Sequence, residues 1–344
     1  MNQASKGEQE AISTLWLVSG PVLLIAGVIG HSIAIVILRS KRFSRQSLSL
    51  ALLVLSATDL AVLLIGVNRY ILLVIGIGDI RDKFDAICRI HTFLEYWLCQ
   101  LSAWILVVMT GMRLTSILNP IKSNVIFTQC KVKLILLAVF VITLITNLHH
   151  LFLQNIEMFP NNGSNANSTF HPGCTIKDPY IEDILYKIDW IFSCIIPFCV
   201  ILVGNVTIGI RLWYIKYVGD KALQKHMKGD YQNFLSITIM LMTVSLAFIL
   251  LTGPLLIYQT EYVKFSRLDW PNFTFHSLQT IYYLNYVIDF YLYCIAGSNF
   301  RMALMQLLFK RKSKPCKKSM GHELTALTST PPNAHKLSNT DDIY

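Results

Sequence analysis

Residues 13–38 read STLWLVSGPVLLIAGVIGHSIAIVIL, a run that contains no aspartate, glutamate, lysine or arginine. A helix of roughly 20 apolar residues is long enough to cross the hydrocarbon core of a bilayer. Inside hydrocarbon a backbone polar group finds no water, so a helix, which pairs its own N–H and C=O groups, is the expected form of a span. This run therefore predicts a transmembrane helix.

Six further apolar runs of comparable length follow along the chain. They cover residues 47–76, 84–118, 132–153, 181–216, 232–260 and 274–296. The composition agrees, because 53% of the 344 residues are hydrophobic and only 15% are charged, which is too little charge for a soluble surface. The sequence predicts an all-α membrane protein built as a bundle of seven transmembrane helices.

The orientation of the bundle follows from its basic residues, since loops rich in lysine and arginine stay in the cytoplasm. Such residues follow spans one, three, five and seven: Arg39, Lys41, Arg42, Arg45, Lys122, Lys131, Lys133, Lys216, Lys221, Lys225, Lys228, Lys310, Arg311 and Lys312. We expect a plasma-membrane protein with its N-terminus outside, its C-terminus inside, and a first span that is not a cleaved signal. The net charge of +10 is then explained by loops facing anionic lipid, and no nucleic-acid partner is expected.

Four regions are predicted along the chain. Residues 1–12 form an extracellular N-terminus, and 13–298 form the bundle. In 299–310 the residues Phe300, Leu304 and Leu307 recur at helical spacing ahead of basic residues, which predicts an amphipathic helix on the membrane surface. Residues 311–344 are polar and rich in Ser, Thr, Pro and Lys, which predicts a disordered cytoplasmic tail.

Several positions are candidates for covalent modification. Asn162, Asn167 and Asn272 each begin a glycosylation sequon in a loop that the predicted topology places outside. Cys316 follows the surface helix among lysines and is a candidate for palmitoylation. The alternative is that it is unmodified.

The third and seventh spans carry the most specific motifs. Cys88 precedes Arg113 by 25 residues, and Pro120 follows Arg113 by seven. Span two contains Leu-Ser-Ala-Thr-Asp59, and span seven reads Asn285-Tyr-Val-Ile-Asp-Phe-Tyr-Leu-Tyr293. In this combination the chain resembles the rhodopsin-like G-protein-coupled receptors over about residues 13–310.

The resemblance implies a function and several residue roles. It implies a receptor that binds an extracellular ligand and signals through heterotrimeric G proteins, with arrestin as a further partner of the tail. It also implies a Cys88–Cys174 disulfide and a set of switch residues. These are Arg113, Pro197, Phe248, Pro254 and Tyr293. The run 288–301, with Asp289-Phe-Tyr-Leu-Tyr-Cys, is most similar to invertebrate neuropeptide receptors, including those for FMRFamide-like peptides.

The chain also departs from the family pattern at the switching machinery. His31 stands where the family has asparagine, Met112 replaces the acidic neighbour of the arginine, and Asn205 replaces a tyrosine. Thr252 replaces the tryptophan before the span-six proline, and Phe290 replaces the span-seven proline. An alternative function is therefore a receptor fold that is constitutively active, or that binds ligand without coupling, as an orphan or scavenger.

A polar cluster is predicted inside the bundle. Asp59, Ser102, Asn285 and Asp289 match the positions that hold a sodium ion in related receptors, and oxygen ligands suit a hard cation. The alternative is a hydrogen-bonded cluster in which one carboxyl is protonated, because two nearby carboxylates resist joint ionisation. Sodium is the only ion expected, as an allosteric ligand, and no cofactor is expected.

The ligand pocket is predicted from Glu95, about five helical turns before Arg113, and from Asp189 in the outer third of span five. Together they would form an acidic pocket. Its remaining predicted lining is Trp190, Tyr258, Gln279, Tyr282 and Tyr283. Aromatic rings favour a cationic group, although in spans they also serve packing or the membrane interface. We expect a small cationic or amidated neuropeptide, or alternatively a biogenic amine.

Other classes of function are disfavoured by the sequence. His149 and His150 lack Cys or carboxylate neighbours at ligand spacing, so no metal site is expected there. No catalytic motif suggests an enzyme. A retinal protein would need a lysine in 274–296, where none occurs, and a transporter would show repeat symmetry.

Overall fold

The computed structural model describes residues 6–41, 43, 46–160, 170–217, 228–262 and 273–309. Its helices are α1 (Lys6–Leu38), α2 (Ser47–Val62), α3 (Asn68–Val74), α4 (Asp85–Leu118), α5 (Pro120–Ile126), α6 (Gln129–Asn147), α7 (His149–Leu153), α8 (Pro179–Trp190), α9 (Ile196–Tyr217), α10 (Lys228–Tyr262), α11 (Phe273–Ala296) and α12 (Ser298–Phe309). Short π-helical turns at Leu63–Val67 and Ile191–Ile195 join α2 to α3 and α8 to α9. The seven spans are then α1, α2–α3, α4, α6–α7, α8–α9, α10 and α11.

Six of these spans are long and apolar enough to cross a membrane by length and composition alone, counting the described residues. The seventh, α11, is 24 residues long and packs between α1 and α10. It is less apolar because it carries the buried polar side chains of His276, Gln279, Asn285 and Asp289. These side chains face the bundle rather than lipid, so the predicted seven-helix fold is confirmed.

The first span is longer than predicted. Its helix begins at Lys6, so residues 6–12 of the predicted N-terminal segment are helical. Glu8 lies in the first turn, where a carboxylate is favoured by the helix dipole. Hydropathy indicates only the apolar part of a helix, so the polar turns at residues 6–12 were not predicted to be helical.

The packed centre of the bundle is built on span three. Leu101, Ile105 and Met109 repeat at helical spacing and are each at most 3% exposed. A second cluster, nearer the start of span one, is aromatic. The ring of Trp16 stacks on Tyr70 with centroids 4.1 Å apart, and Trp16 Nε1 donates to His276 Nδ1 at 3.0 Å. These contacts join spans one, two and seven.

A β-hairpin caps one end of the bundle. Strands β1 (Gln154–Pro160) and β2 (Phe170–Ile176) pair antiparallel, with Ile156 opposite Cys174. Cys174 is disulfide-bonded to Cys88 at the start of span three, which confirms the predicted pairing. We call this the outer end of the bundle and the opposite one the inner end. The hairpin itself was not predicted, since residues 154–176 show no clear alternation.

The helix after span seven, α12, runs from Ser298 to Phe309. Phe300 is 3% exposed, with its ring 5.6 Å from that of Tyr293, and Leu304 packs on the core. Leu307 is 45% exposed, so it does not continue the buried stripe. The short helix is present, and only part of its predicted apolar face is covered by protein.

Candidate functional site

A cavity of about 210 Å³ opens between spans two, three, five, six and seven at the outer end. Five predicted ligand-binding residues line it: Glu95, Asp189, Trp190, Gln279 and Tyr282. They come from three different spans, and the fold alone brings them together. Thr252, which stands where the family has tryptophan, lies in the cavity wall. A threonine leaves more room there than a large indole.

The two remaining predicted pocket residues lie beside the cavity. Tyr283 is fully buried and donates its hydroxyl to Glu95 Oε1 at 2.8 Å, so it orients the carboxylate from behind. Tyr258 is half-buried, with its ring 6.4 Å from that of the cavity residue Phe275. Both residues support the cavity wall.

Two arginines in the cavity wall were not among the ligand-binding residues predicted from the sequence. Arg69 of span two and Arg81 of the following loop both line it. Both bind one carboxylate, with Arg69 Nη2 and Arg81 Nη2 at 2.7 and 3.0 Å from Asp79 Oδ2. Burial alone would raise the pKa of Asp79, but the two guanidinium groups hold that pKa well below its ordinary value. Asp79 is therefore ionised at every physiological pH.

The same loop contains a second carboxylate with the opposite behaviour. Burial and the charge of Asp79 raise the pKa of Asp82. Asp82 Oδ1 accepts the backbone N–H of Cys174 at 3.0 Å, which ties this loop to the hairpin.

Glu95 has neighbours that change the predicted character of the pocket. Its side chain is 16% exposed, and its Oε2 lies 3.7 Å from His91 Nδ1. Arg69 and Arg81 line the same cavity as the two predicted carboxylates, Glu95 and Asp189, so the pocket is not acidic alone. The cavity presents carboxylates and guanidinium groups together. An arginine within the apolar run 47–76 was the signal that could have revealed this.

Asp189 is buried and paired. Its Oδ2 lies 3.1 Å from His149 Nε2 and 3.2 Å from His150 Nε2. The expectation that these histidines lack a carboxylate neighbour is wrong, because sequence spacing does not show that spans four and five bring residues 40 positions apart into contact.

The four predicted sodium ligands are all buried in the middle of the bundle. Ser102 Oγ donates to Asp59 Oδ1 at 2.6 Å, and the carboxylates of Asp59 and Asp289 are close enough to repel each other. Asn285 is 4% exposed on the same helix as Asp289. Two interacting buried carboxylates require either a shared proton or a cation.

Arg113 lies at the inner end, where it lines a cavity of about 200 Å³ with Met112, Ser116 and Ser123. Met112 is 6% exposed and belongs to the hydrophobic core. The position that carries an acidic residue in the family therefore packs as an apolar side chain beside the arginine.

The other switch residues occupy different surroundings. Phe248 and Tyr293 are buried in the core, Pro197 is buried in span five, and Pro254 is exposed on span six. Next to it, Thr252 Oγ1 donates to the carbonyl of Phe248 at 2.6 Å.

Three departures from the family pattern are accommodated by direct contacts. His31 Nε2 lies 2.6 Å from the carbonyl oxygen of Tyr286, which links spans one and seven. Asn205 Nδ2 donates to Ser245 Oγ at 2.7 Å, which links spans five and six. Phe290 packs against Gly30, where an added Cβ would lie 3.1 Å from the ring.

The predicted modification sites Asn162, Asn167, Asn272 and Cys316, and the tail 311–344, lie outside the described residues.

Comparison with known proteins identifies the family. Residues 31–293 match the model of the 7 transmembrane receptor (rhodopsin family). The chain is 23% identical over 243 residues to Neuropeptide receptor 22 of Caenorhabditis elegans, covering 69% of this chain and 55% of that protein. It is 28% identical over 156 residues to Cephalotocin receptor 1 of Octopus vulgaris, covering 45% of this chain and 38% of that protein.

The chain thus spans about half the length, or less, of these relatives. The predicted likeness to invertebrate neuropeptide receptors is confirmed. The matching family consists of receptors and not of enzymes, as the sequence predicted. The chain belongs to the rhodopsin family of seven-transmembrane receptors.

Proposed function

We propose that this receptor is activated by an extracellular peptide that enters the outer cavity, and that it signals through heterotrimeric G proteins. Family membership supports an extracellular ligand and a G-protein partner. The relatives named a neuropeptide receptor and a cephalotocin receptor support a peptide. With the N-terminus outside, as the basic loops predict, the hairpin and the Cys88–Cys174 disulfide face the oxidising extracellular side, where disulfides persist.

The observation that carries the proposal is the mixed charge of the cavity wall. Glu95 and Arg81 line one cavity of about 210 Å³, so opposite charges are available to one ligand. A short peptide offers a cationic group together with backbone carbonyls, which can use both. A biogenic amine offers one ammonium group and leaves the guanidinium groups without a new partner. The cavity therefore favours a peptide over an amine.

Glu95 is the proposed anchor for a cationic group of the peptide. Its carboxylate is fixed by Tyr283 and remains 16% exposed. An ionised carboxylate in a partly dry site gains most from a cation that joins it. Asp189 contributes less to this contact, because two histidines already approach its Oδ2.

The inner end is the proposed site of coupling. Arg113 lines a cavity there, and Tyr293 lies in the last turn of α11 with its ring against Phe300 of α12. The G protein would engage this face when spans five and six move. Arrestin is proposed to bind the Ser- and Thr-containing tail, and a sodium ion to bind Asp59, Ser102, Asn285 and Asp289.

A screen on cells that express the chain tests the ligand class. Amidated peptides with an arginine or free amine, their uncharged analogues and biogenic amines are compared at equal surface expression. The proposal expects at least one cationic peptide to activate a G-protein reporter and the amines to be inactive. Activation by amines alone would contradict it.

A further inference from the structure

Three side chains that can ligate metal meet where the outer ends of spans four and five touch. His149 and His150 begin α7, and Asp189 lies in the last turn of α8. One ligand atom from each lies within 4.8 Å of the others, and the histidine ring centroids are 4.1 Å apart. Both His150 and Asp189 are buried, so this cluster is an organised part of the fold.

The hydrogen bonds of His149 determine what its ring presents to Asp189. Its Nδ1 lies 3.0 Å from the carbonyl oxygen of Thr146, and a carbonyl only accepts, so Nδ1 carries the hydrogen. In a neutral ring the lone pair is then on Nε2, which faces Asp189 Oδ2 at 3.1 Å. The ring therefore meets Asp189 either as an imidazolium that donates from Nε2, or as a neutral imidazole with a cation between the two lone pairs. The Thr146 contact also matches the support that metal-bound histidines receive through their second nitrogen.

His150, unlike His149, makes no hydrogen bond to Asp189 within the described residues. Its Nε2 is 3.2 Å from Asp189 Oδ2, but the approach does not have hydrogen-bond geometry within the described part of the chain. The ring is held in place by Tyr96, whose centroid is 4.4 Å away. Two imidazoles thus converge on one carboxylate oxygen without both being satisfied by it.

We propose that His149, His150 and Asp189 bind a divalent transition-metal ion, with Zn²⁺ as the best fit. Two imidazoles and one carboxylate are a zinc ligand set, whereas Ca²⁺ and Mg²⁺ prefer oxygen alone. Tetrahedral zinc with bonds of about 2.0–2.1 Å separates its ligand atoms by roughly 3.3 Å. The observed 3.1 and 3.2 Å from Asp189 Oδ2 are close to that value.

The ion would lie at the wall of the ligand cavity, because Asp189 lines that cavity. Three protein ligands leave the fourth position for water or for an atom of the bound ligand. Zinc and the extracellular ligand would therefore influence each other's affinity by the same factor. The cluster would make this receptor responsive to extracellular zinc.

Zinc binding is measured on the purified full chain in lipid nanodiscs, after removal of metals with EDTA and without peptide or G protein. The melting temperature is followed during titration with ZnCl₂, and the affinity is measured by calorimetry. We expect zinc to raise the melting temperature by binding the folded state, and Ca²⁺ and Mg²⁺ to have no such effect. His149→Ala, His150→Ala and Asp189→Asn should each weaken zinc binding about tenfold or more.

His171→Ala is the matched control, since His171 lies in the outer hairpin and outside the cluster. It should retain the zinc affinity of the unchanged receptor.

If a cluster variant does not fold, cobalt absorption of the unchanged receptor tests for the site, because Co²⁺ held by nitrogen and oxygen ligands in a tetrahedral site has intense visible bands and aqueous Co²⁺ does not. The absence of both saturable zinc binding and this cobalt spectrum would overturn the proposal. Zinc affinity that stays within twofold in all three cluster variants would also overturn it. A melting temperature that responds to pH but not to zinc would show that a proton bridges the cluster instead. None of these results depends on G-protein coupling.

Discussion

The outer and inner ends of the bundle treat their charged residues differently. At the outer end Arg69 and Arg81 bind Asp79, Tyr283 holds Glu95, and two histidines approach Asp189. At the inner end the neighbour of Arg113 in sequence is the buried, apolar Met112. The outer end is thus arranged before a ligand arrives, whereas at the inner end an apolar residue stands at the sequence position that is acidic in the family. Ligand recognition should therefore depend on fixed charges, whereas signalling at the inner end should respond to the residue at position 112.

The largest effect is expected from breaking the disulfide that fixes the outer end. Cys88→Ser, Cys174→Ser or the double variant should lose about 2–5 kcal/mol of stability and most of its surface expression. Cys130→Ser, a change at an exposed free cysteine, is the control and should behave as the unchanged chain. Normal surface expression of the double variant would show that the hairpin does not need its link to span three.

Next in size is the loss of the proposed anchor. Glu95→Gln keeps the shape and the Tyr283 contact but removes the charge, so the affinity for a cationic peptide should fall about 30-fold or more. Glu157→Gln, in the hairpin and outside the cavity wall, is the control for a carboxylate at the outer end. Potency within threefold of the unchanged receptor for Glu95→Gln would rule out the anchor.

These two predictions rest on residues that the sequence revealed to different degrees. The seven spans and the buried polar cluster were predictable, because hydropathy and buried carboxylates depend on local sequence, and the disulfide followed from the resemblance to the receptor family. The pairing of Asp189 with His149, and of Arg69 with Asp79, was not. Such contacts depend on how helices pack and where a loop folds back, which local patterns do not encode.

A smaller effect is expected at the polar cluster in the middle of the bundle. Sodium should raise the melting temperature of the purified receptor relative to choline at equal ionic strength, because it binds only the folded state. Asp59→Asn should abolish this difference, while Asp189→Asn, which removes a buried carboxylate elsewhere, should retain it. If sodium and choline give equal melting temperatures in the unchanged chain, a shared proton explains the paired carboxylates.

The smallest effect is expected at Met112. Met112→Asp should lower ligand-independent signalling several-fold by providing an ion-pair partner for Arg113. Because Met112 is buried in the core, Met112→Asn is required as a control of similar size without the charge. Signalling is normalised to surface expression. An equal decrease in both variants would attribute the change to lost packing rather than to a restored ion pair.

We propose that a peptide bound at the outer end activates a G protein at the inner end. Nucleotide exchange on a purified heterotrimeric G protein, with this receptor in nanodiscs as the only input, tests it most directly. We expect measurable exchange without ligand and a further increase when a peptide that binds the cavity is added. Saturable peptide binding with no change in exchange, across the G-protein subtypes tested, would rule out this coupling and identify a receptor that binds ligand without activating a G protein.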